Sequence, residues 1–185
     1  MKYFTAQLWS DYNSPVRSVR EKAEKQWNRN RRSYWKYIAK ILPHLSPSAR
    51  SFFRETSLHD GIIFSVSFGD SLTFSKTGIW PKTSFAEIKV LHPETDDLYI
   101  LHYSWLREFT VEYNAEKHYR EKIYYVFGDW GYNELFLTKD KWLKHEILFD
   151  SGATVKLEFK HFSYEVKRIK NKKGEVRLCE LELRR

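Results

Sequence analysis

The chain is expected to fold as an α+β protein, with N-terminal helices packed on a curved, largely antiparallel sheet. Two observations carry that expectation. Apolar residues recur at helical spacing as far as about residue 57 and at period two from residue 58 onwards. After that change no convincing helical pattern separates the strand segments, as antiparallel neighbours rather than crossover units require.

The first helix is expected over about 15–42. Ser14-Pro15 is a good start, because Ser can accept from free first-turn amides and Pro lacks the N–H that would go unsatisfied there. Val16, Val19, Ala23, Trp27, Tyr34, Ile38 and Ile41 then recur at steps of three, four or seven, which gathers them on one stripe. Pro43 stops the helix. Lys22, Lys25, Arg29, Arg32, Lys36 and Lys40 share a second stripe whose mean direction is about 150° from the first. Ser46-Pro47 repeats the start signal and opens a short helix over about 47–57 that carries Phe52 and Phe53.

Leu58-His59-Asp60-Gly61 reads as a turn into the first strand, where Ile62, Phe64, Val66 and Phe68 alternate with Ile63, Ser65 and Ser67. Further strands are expected at 72–76, 84–91, 98–103, 108–113, 122–127 and 144–149. Asp150-Ser151-Gly152 and 171–174 read as short hairpin loops. Between Val155, Leu157, Phe159 and the later Phe162, Tyr164, Val166 the alternation slips by one residue, which predicts a bulge near Lys160 and His161.

A length of 185 residues, no low-complexity stretch and no linker composition are consistent with a single domain, 1–57 forming its helical part and 58–185 its β part. One cysteine, Cys179, permits no intrachain disulfide and fits a reducing compartment. Its apolar neighbours suggest a buried, unreactive thiol. Neither a signal-peptide pattern at the start nor a bilayer-length apolar run is found, so a cytoplasmic location without membrane attachment is expected.

The charge is unevenly distributed. Residues 1–57 hold 12 Lys and Arg against 4 Asp and Glu, whereas residues 58–185 hold 20 of each, so the whole excess of +8 is N-terminal. A localised excess makes a directed field that suits phosphates or an acidic partner. The six-residue cationic stripe from Lys22 to Lys40 is therefore the leading functional surface, although a solvated helix face has the same composition.

Two smaller clusters carry possible chemistry. His59 and Asp60 could act as an acid–base or metal pair, joined by Asp70 and Ser71 if the four converge in an open pocket, with a simple turn as the plainer explanation. No metal or cofactor is expected, since none of the seven His falls in a ligand-spaced motif. Trp80, Trp105, Trp130 and Trp142 could line a pocket or stack on bases, though core packing accounts for most such residues.

Phe68-Gly69-Asp70-Ser71-Leu72-Thr73 resembles the nucleophile block of the GDSL-type, or SGNH, hydrolases. That resemblance implies Ser71 as nucleophile, and Gly131-Tyr132-Asn133-Glu134 partly imitates the family's oxyanion block. The pattern departs at Glu134, and no Asp-x-x-His segment supplies the base. The expected reading of Gly69-Asp70-Ser71 is a turn between hairpin strands.

Met1-Lys2-Tyr3-Phe4-Thr5 and Ser57-Leu58-His59-Asp60-Gly61 resemble a family of bacterial domains of unknown function. The resemblance implies a bacterial, cytoplasmic, single-domain protein with a helical start and a "Leu-His-Asp" turn leading into a sheet, and it implies no activity. A non-enzymatic domain that binds a protein or a ligand is therefore the first functional expectation. Nucleic-acid binding through the basic helix is the alternative, and a serine esterase built on Ser71 ranks last.

Overall fold

The computed structural model describes residues 1–76, 78–113 and 127–169. Three helices, α1 (Ala6–Tyr12), α2 (Arg17–Ile41) and α3 (Pro47–Glu55), precede six described strands. These are β1 (Ile62–Ser75), β2 (Gly78–Leu91), β3 (Asp97–Glu112), β4 (Trp130–Leu137), β5 (Leu143–Phe149) and β6 (Thr154–Arg168). They form one antiparallel sheet in the order β1-β2-β3-β6-β5-β4. The α+β class expected from periodicity is the class observed. The expected strand at 122–127 lies outside the described residues except for Phe127, which is not in a strand; the loop at 171–174 and Cys179 lie wholly outside them.

α1 was not expected. Its cap is Thr5, whose hydroxyl accepts from the Leu8 N–H at 3.2 Å, but seven residues are too few for a clear helical period. α2 begins two residues later than expected, because the Ser14 hydroxyl accepts from Val16 N–H at 3.2 Å and so holds the approach to the helix rather than its first turn. Ala23, Trp27, Tyr34, Ile38 and Ile41 are buried as their spacing requires. Val16 and Val19 are not: they stay 54% and 38% exposed, since the first turns of α2 face the short α1, where Val19 and Leu8 line a shared groove. Pro43 ends α2 in a single 3-10 turn, and the Ser46 hydroxyl caps α3 by accepting from Ala49 N–H at 3.3 Å.

The sheet curls until its outer strands meet. Ile62 pairs with Asp129, Asp60 N–H donates to the Trp130 carbonyl at 2.8 Å, and Trp130 N–H donates to the Gly61 carbonyl at 2.7 Å. Inside the curl, Ile88, Val90, Leu101, Tyr103, Leu135, Ile147, Leu157 and Phe159 form the core with the buried faces of α2 and α3. The slip in alternation near Lys160 is genuine in that Phe159 and Phe162 are both buried. The extra residue, however, is in β3: the register shifts between Leu106 and Glu108, next to Trp105 with its left-handed φ of 59°.

The Gly69-Asp70-Ser71 turn is corrected to a paired run of β1, opposite Phe85, Ser84 and Thr83 of β2, the register shifting just after Ser71. Turn-forming composition gives way here to the continuous β1–β2 ladder of a 14-residue hairpin arm. Asp150-Ser151-Gly152 does form the β5–β6 hairpin, with Gly152 at φ 83°. Among the described residues no helix is long and apolar enough to cross a membrane.

The free edge of β4 is covered by tyrosines from α2. The Tyr34 and Tyr37 hydroxyls accept from the N–H groups of Leu135 and Leu137, each at 2.9 Å, so α2 supplies acceptors that a further strand would otherwise provide. Burial raises the Tyr34 hydroxyl pKa well above its usual range, which keeps it protonated. Tyr34→Phe is expected to destabilise the fold by about 1–2 kcal/mol in urea unfolding, because it leaves the Leu135 amide buried and unpaired. Tyr37→Phe should cost less, since Leu137 is only partly buried and water can replace the lost oxygen.

Candidate functional site

α2, α3 and the start of β4 border a half-open pocket of about 380 Å³. Its deep walls are the buried rings of Phe4, Trp27, Tyr34, Phe52, Phe53 and Trp130. They interlock as Phe4 against Trp27 at 4.9 Å and Phe52 against Phe53 at 5.1 Å, so ring contacts shape the walls. Tyr132 closes one side, packed edge-on to Trp27 at 4.5 Å. A pocket of this size with mostly aromatic walls suits a small flat group.

The rim is polar. Arg31 and Trp35 reach it from α2, Arg54 and Glu55 from the end of α3, His59 from the turn and Asn133 from β4. Arg54 is ion-paired with Glu55, whereas Arg31 is exposed and forms no ion pair among the described residues. Trp35 is half exposed, and its ring lies 6.1 Å from that of Tyr34.

His59 sits between two partners. Its Nδ1 is 2.8 Å from Asp60 Oδ1 and its Nε2 is 3.1 Å from the Tyr132 hydroxyl. The turn that places it is tight: Gly61 N–H donates to the Leu58 carbonyl at 2.9 Å, and Asp60 adopts a φ of 61°, which a short polar side chain tolerates. Burial, followed by the nearby Tyr12 and Asp60, raises the Tyr132 pKa, so its hydroxyl stays protonated. The row Asp60–His59–Tyr132 orients one imidazole at the pocket mouth.

β4 aims its side chains through an irregularity at Gly131. The register shifts between Trp130 and Tyr132, and a Cβ at Gly131 would lie 2.7 Å from the Leu148 carbonyl oxygen. Only glycine allows β4 to come that close to β5 while sending Trp130 to the floor and Tyr132 to the wall. Trp130 Nε1 then donates to Asn133 Oδ1 at 3.2 Å.

The pair His59 and Asp60 is thus brought together at a pocket, and Asp70 and Ser71 are not. They lie well along β1, on the order of 25 Å from its start at the usual strand rise, and neither lines the cavity. The Ser71 hydroxyl has no hydrogen-bond partner among the described residues, and it belongs to a strand rather than a strand-to-helix turn. All six residues of the basic stripe, Lys22, Lys25, Arg29, Arg32, Lys36 and Lys40, are exposed. Of the four tryptophans, Trp130 lines the pocket, Trp142 packs beneath Arg107 and Lys160 at 4.7 and 4.5 Å, and Trp105 is exposed. The Trp80 side chain lies outside the described residues. Among those residues, no group of three or more His, Cys, Asp or Glu could hold a metal ion.

Sequence reasoning missed Arg31, Trp35, Arg54 and Tyr132 as rim residues. Arg31 and Trp35 carried one signal, since Trp27, Arg31 and Trp35 follow one another at steps of four and place an arginine between two tryptophans on one helix flank; Arg54 and Tyr132 carried none. The architecture is that of an antiparallel α+β domain with an aromatic pocket under its N-terminal helices. Comparison with family models, curated proteins and solved structures finds no match.

Proposed function

We propose that the protein is a non-enzymatic binding domain of the cytoplasm whose aromatic pocket receives a flat, largely apolar group carrying negative charge at its outer end. The observation that carries this reading is the pairing of a half-open, aromatic-walled pocket with Arg31 at its rim, a cation that forms no ion pair among the described residues. Ring stacking on Trp27, Phe4 or Tyr132 would supply contact area, and Arg31 with His59 would fix orientation. The Asp60–His59–Tyr132 row serves here as a hydrogen-bonding rim.

The aromatic anion 8-anilinonaphthalene-1-sulfonate is a direct probe. Saturable binding is expected, with blue-shifted emission and quenching of tryptophan fluorescence. Arg31→Glu should weaken it about tenfold, the equivalent of ~1.4 kcal/mol, because it reverses the charge at the mouth and leaves the core intact. Ser57→Trp, which adds bulk at the exposed rim, should block it. Equal binding by the parent and both variants, or no saturable binding at all, would contradict the reading.

A further inference from the structure

We infer that the natural occupant of the pocket is a base of single-stranded nucleic acid, whose phosphates continue along the cationic face of α2. The inference rests on the binding reading above and adds a ligand class to it.

The pocket and the basic stripe are neighbours on one helix. Trp27, Arg31 and Trp35 line the cavity at steps of four along α2. Arg32 and Lys36 follow Arg31 and Trp35 by one residue each, which carries them about 100° round the helix, onto the stripe that also holds Lys25 and Arg29. A chain leaving the pocket mouth over Trp35 therefore meets Arg32 and Lys36, then Arg29 and Lys25. Apart from Arg17 with Glu21 near its start, α2 forms no ion pair among the described residues, so these cations are not neutralised by the fold.

Three features favour a single strand over other acidic partners. A half-exposed tryptophan flanked by Arg31, Arg32 and Lys36 offers a stacking face amid phosphate-binding charge. The cavity of about 380 Å³ is walled by rings, which a base fills and the carboxylates of an acidic peptide do not. Its rim carries Asn133, whose side-chain N–H groups are left to meet a base edge while its Oδ1 accepts from Trp130, and the Tyr132 hydroxyl, held in place by His59. A duplex keeps its bases stacked inside and cannot use such a pocket.

Fluorescence anisotropy of labelled oligomers of about twelve nucleotides tests this on the full chain. The arms are oligothymidylate, oligouridylate, an abasic strand of equal length and a duplex. The base-bearing strands should bind at least about tenfold tighter than the abasic strand and the duplex, and anilinonaphthalene sulfonate should compete with them. Affinity should fall with salt, with a log–log slope of about −2 for three phosphates. Trp35→Ala should lower affinity for base-bearing strands while leaving the abasic strand unchanged, and Lys25→Glu, Arg29→Glu, Lys36→Glu together should lower both.

Equal binding of abasic and base-bearing strands would overturn the placement of a base in the pocket. Anilinonaphthalene sulfonate binding with no oligonucleotide binding would overturn the inference and leave the pocket reading standing. Failure of both probes would remove both. Stronger binding of DNA or of RNA tells which kind of strand the site prefers, and either supports the assignment.

Discussion

Acidification is expected to destabilise the protein through His145, by up to about a factor of ten in the folding equilibrium per pH unit, beginning near pH 6.5 and ending near pH 3. His145 lies in β5 with no exposure, its ring between Phe53 at 5.0 Å and Trp130 at 5.9 Å. Burial pushes its pKa from 6.5 down to about 3, against the opposing charge of Glu146. The sign follows from proton binding. Between these two values the unfolded chain takes up a proton that the folded chain refuses, so stability is full above pH 6.5 and is lost as pH falls.

The environment explains why the fold accepts only the neutral ring. Nδ1 is bonded to the Tyr103 hydroxyl at 3.0 Å, and Nε2 has no partner among the described residues. A protonated ring would hold a charge among aromatic faces with one N–H unsatisfied. His145→Gln keeps a group that can bond to Tyr103 and cannot titrate. Urea unfolding from pH 7 to pH 4.5 should show the parent losing stability more steeply than this variant, the two curves diverging below pH 6.5. Parallel curves would mean that His145 is not the group responsible.

Replacing Glu134 should cost about 3 kcal/mol and lower Tm by about 6–12 °C for a chain of this size. Its carboxylate is fully buried in β4 and accepts from three successive backbone N–H groups, those of Lys2 and Tyr3 at 2.7 Å and Phe4 at 2.5 Å. A charged acceptor serving three amides is stronger than neutral bonds, and its loss leaves the donors unpaired. The segment it holds delivers Phe4 to the pocket wall and Tyr3 against Tyr34 at 5.5 Å.

Glu134→Gln should lose less of this stabilisation, because one amide oxygen can still accept from Tyr3 and Phe4 while the charge is lost and the amide N–H groups face the Lys2 N–H. Thermal unfolding followed by circular dichroism gives the size of the effect, and amide exchange at residues 2–4 gives its place. Unchanged Tm with unchanged protection at those amides would show that the docking does not depend on the carboxylate. Anilinonaphthalene sulfonate binding should weaken in parallel, since Phe4 forms part of the pocket.

Local patterns made much of the helical part legible. The buried side of α2, the opposed cationic side, the cap at Ser46 and the stop at Pro43 all depend on residues within a few positions of one another. The Leu58–Gly61 turn and the Asp150–Gly152 hairpin belong to the same class. Where a local signal competed with long-range pairing, pairing prevailed: Gly69-Asp70-Ser71 has turn composition and is strand because β2 lies beside it. Trp105 shows the converse, a bulky residue in a left-handed conformation beside the β3–β6 register shift, which no local signal announces.

Residue order along the chain was enough to set the class of fold, the face α2 buries and the concentration of charge on its other face. Long-range pairing set the rest of the site. It placed β6 between β3 and β5, brought β4 back beside β1 and set α2 along the free edge of β4. Those pairings turned Glu134 into an anchor for a segment more than a hundred residues away and made His145 an uncharged core residue. They also gathered Phe4, Trp27, Phe53, His59 and Tyr132 around one cavity. Periodicity reports which way a side chain faces within its own element. Which element it then meets depends on strand order, settled by the summed burial of the whole chain.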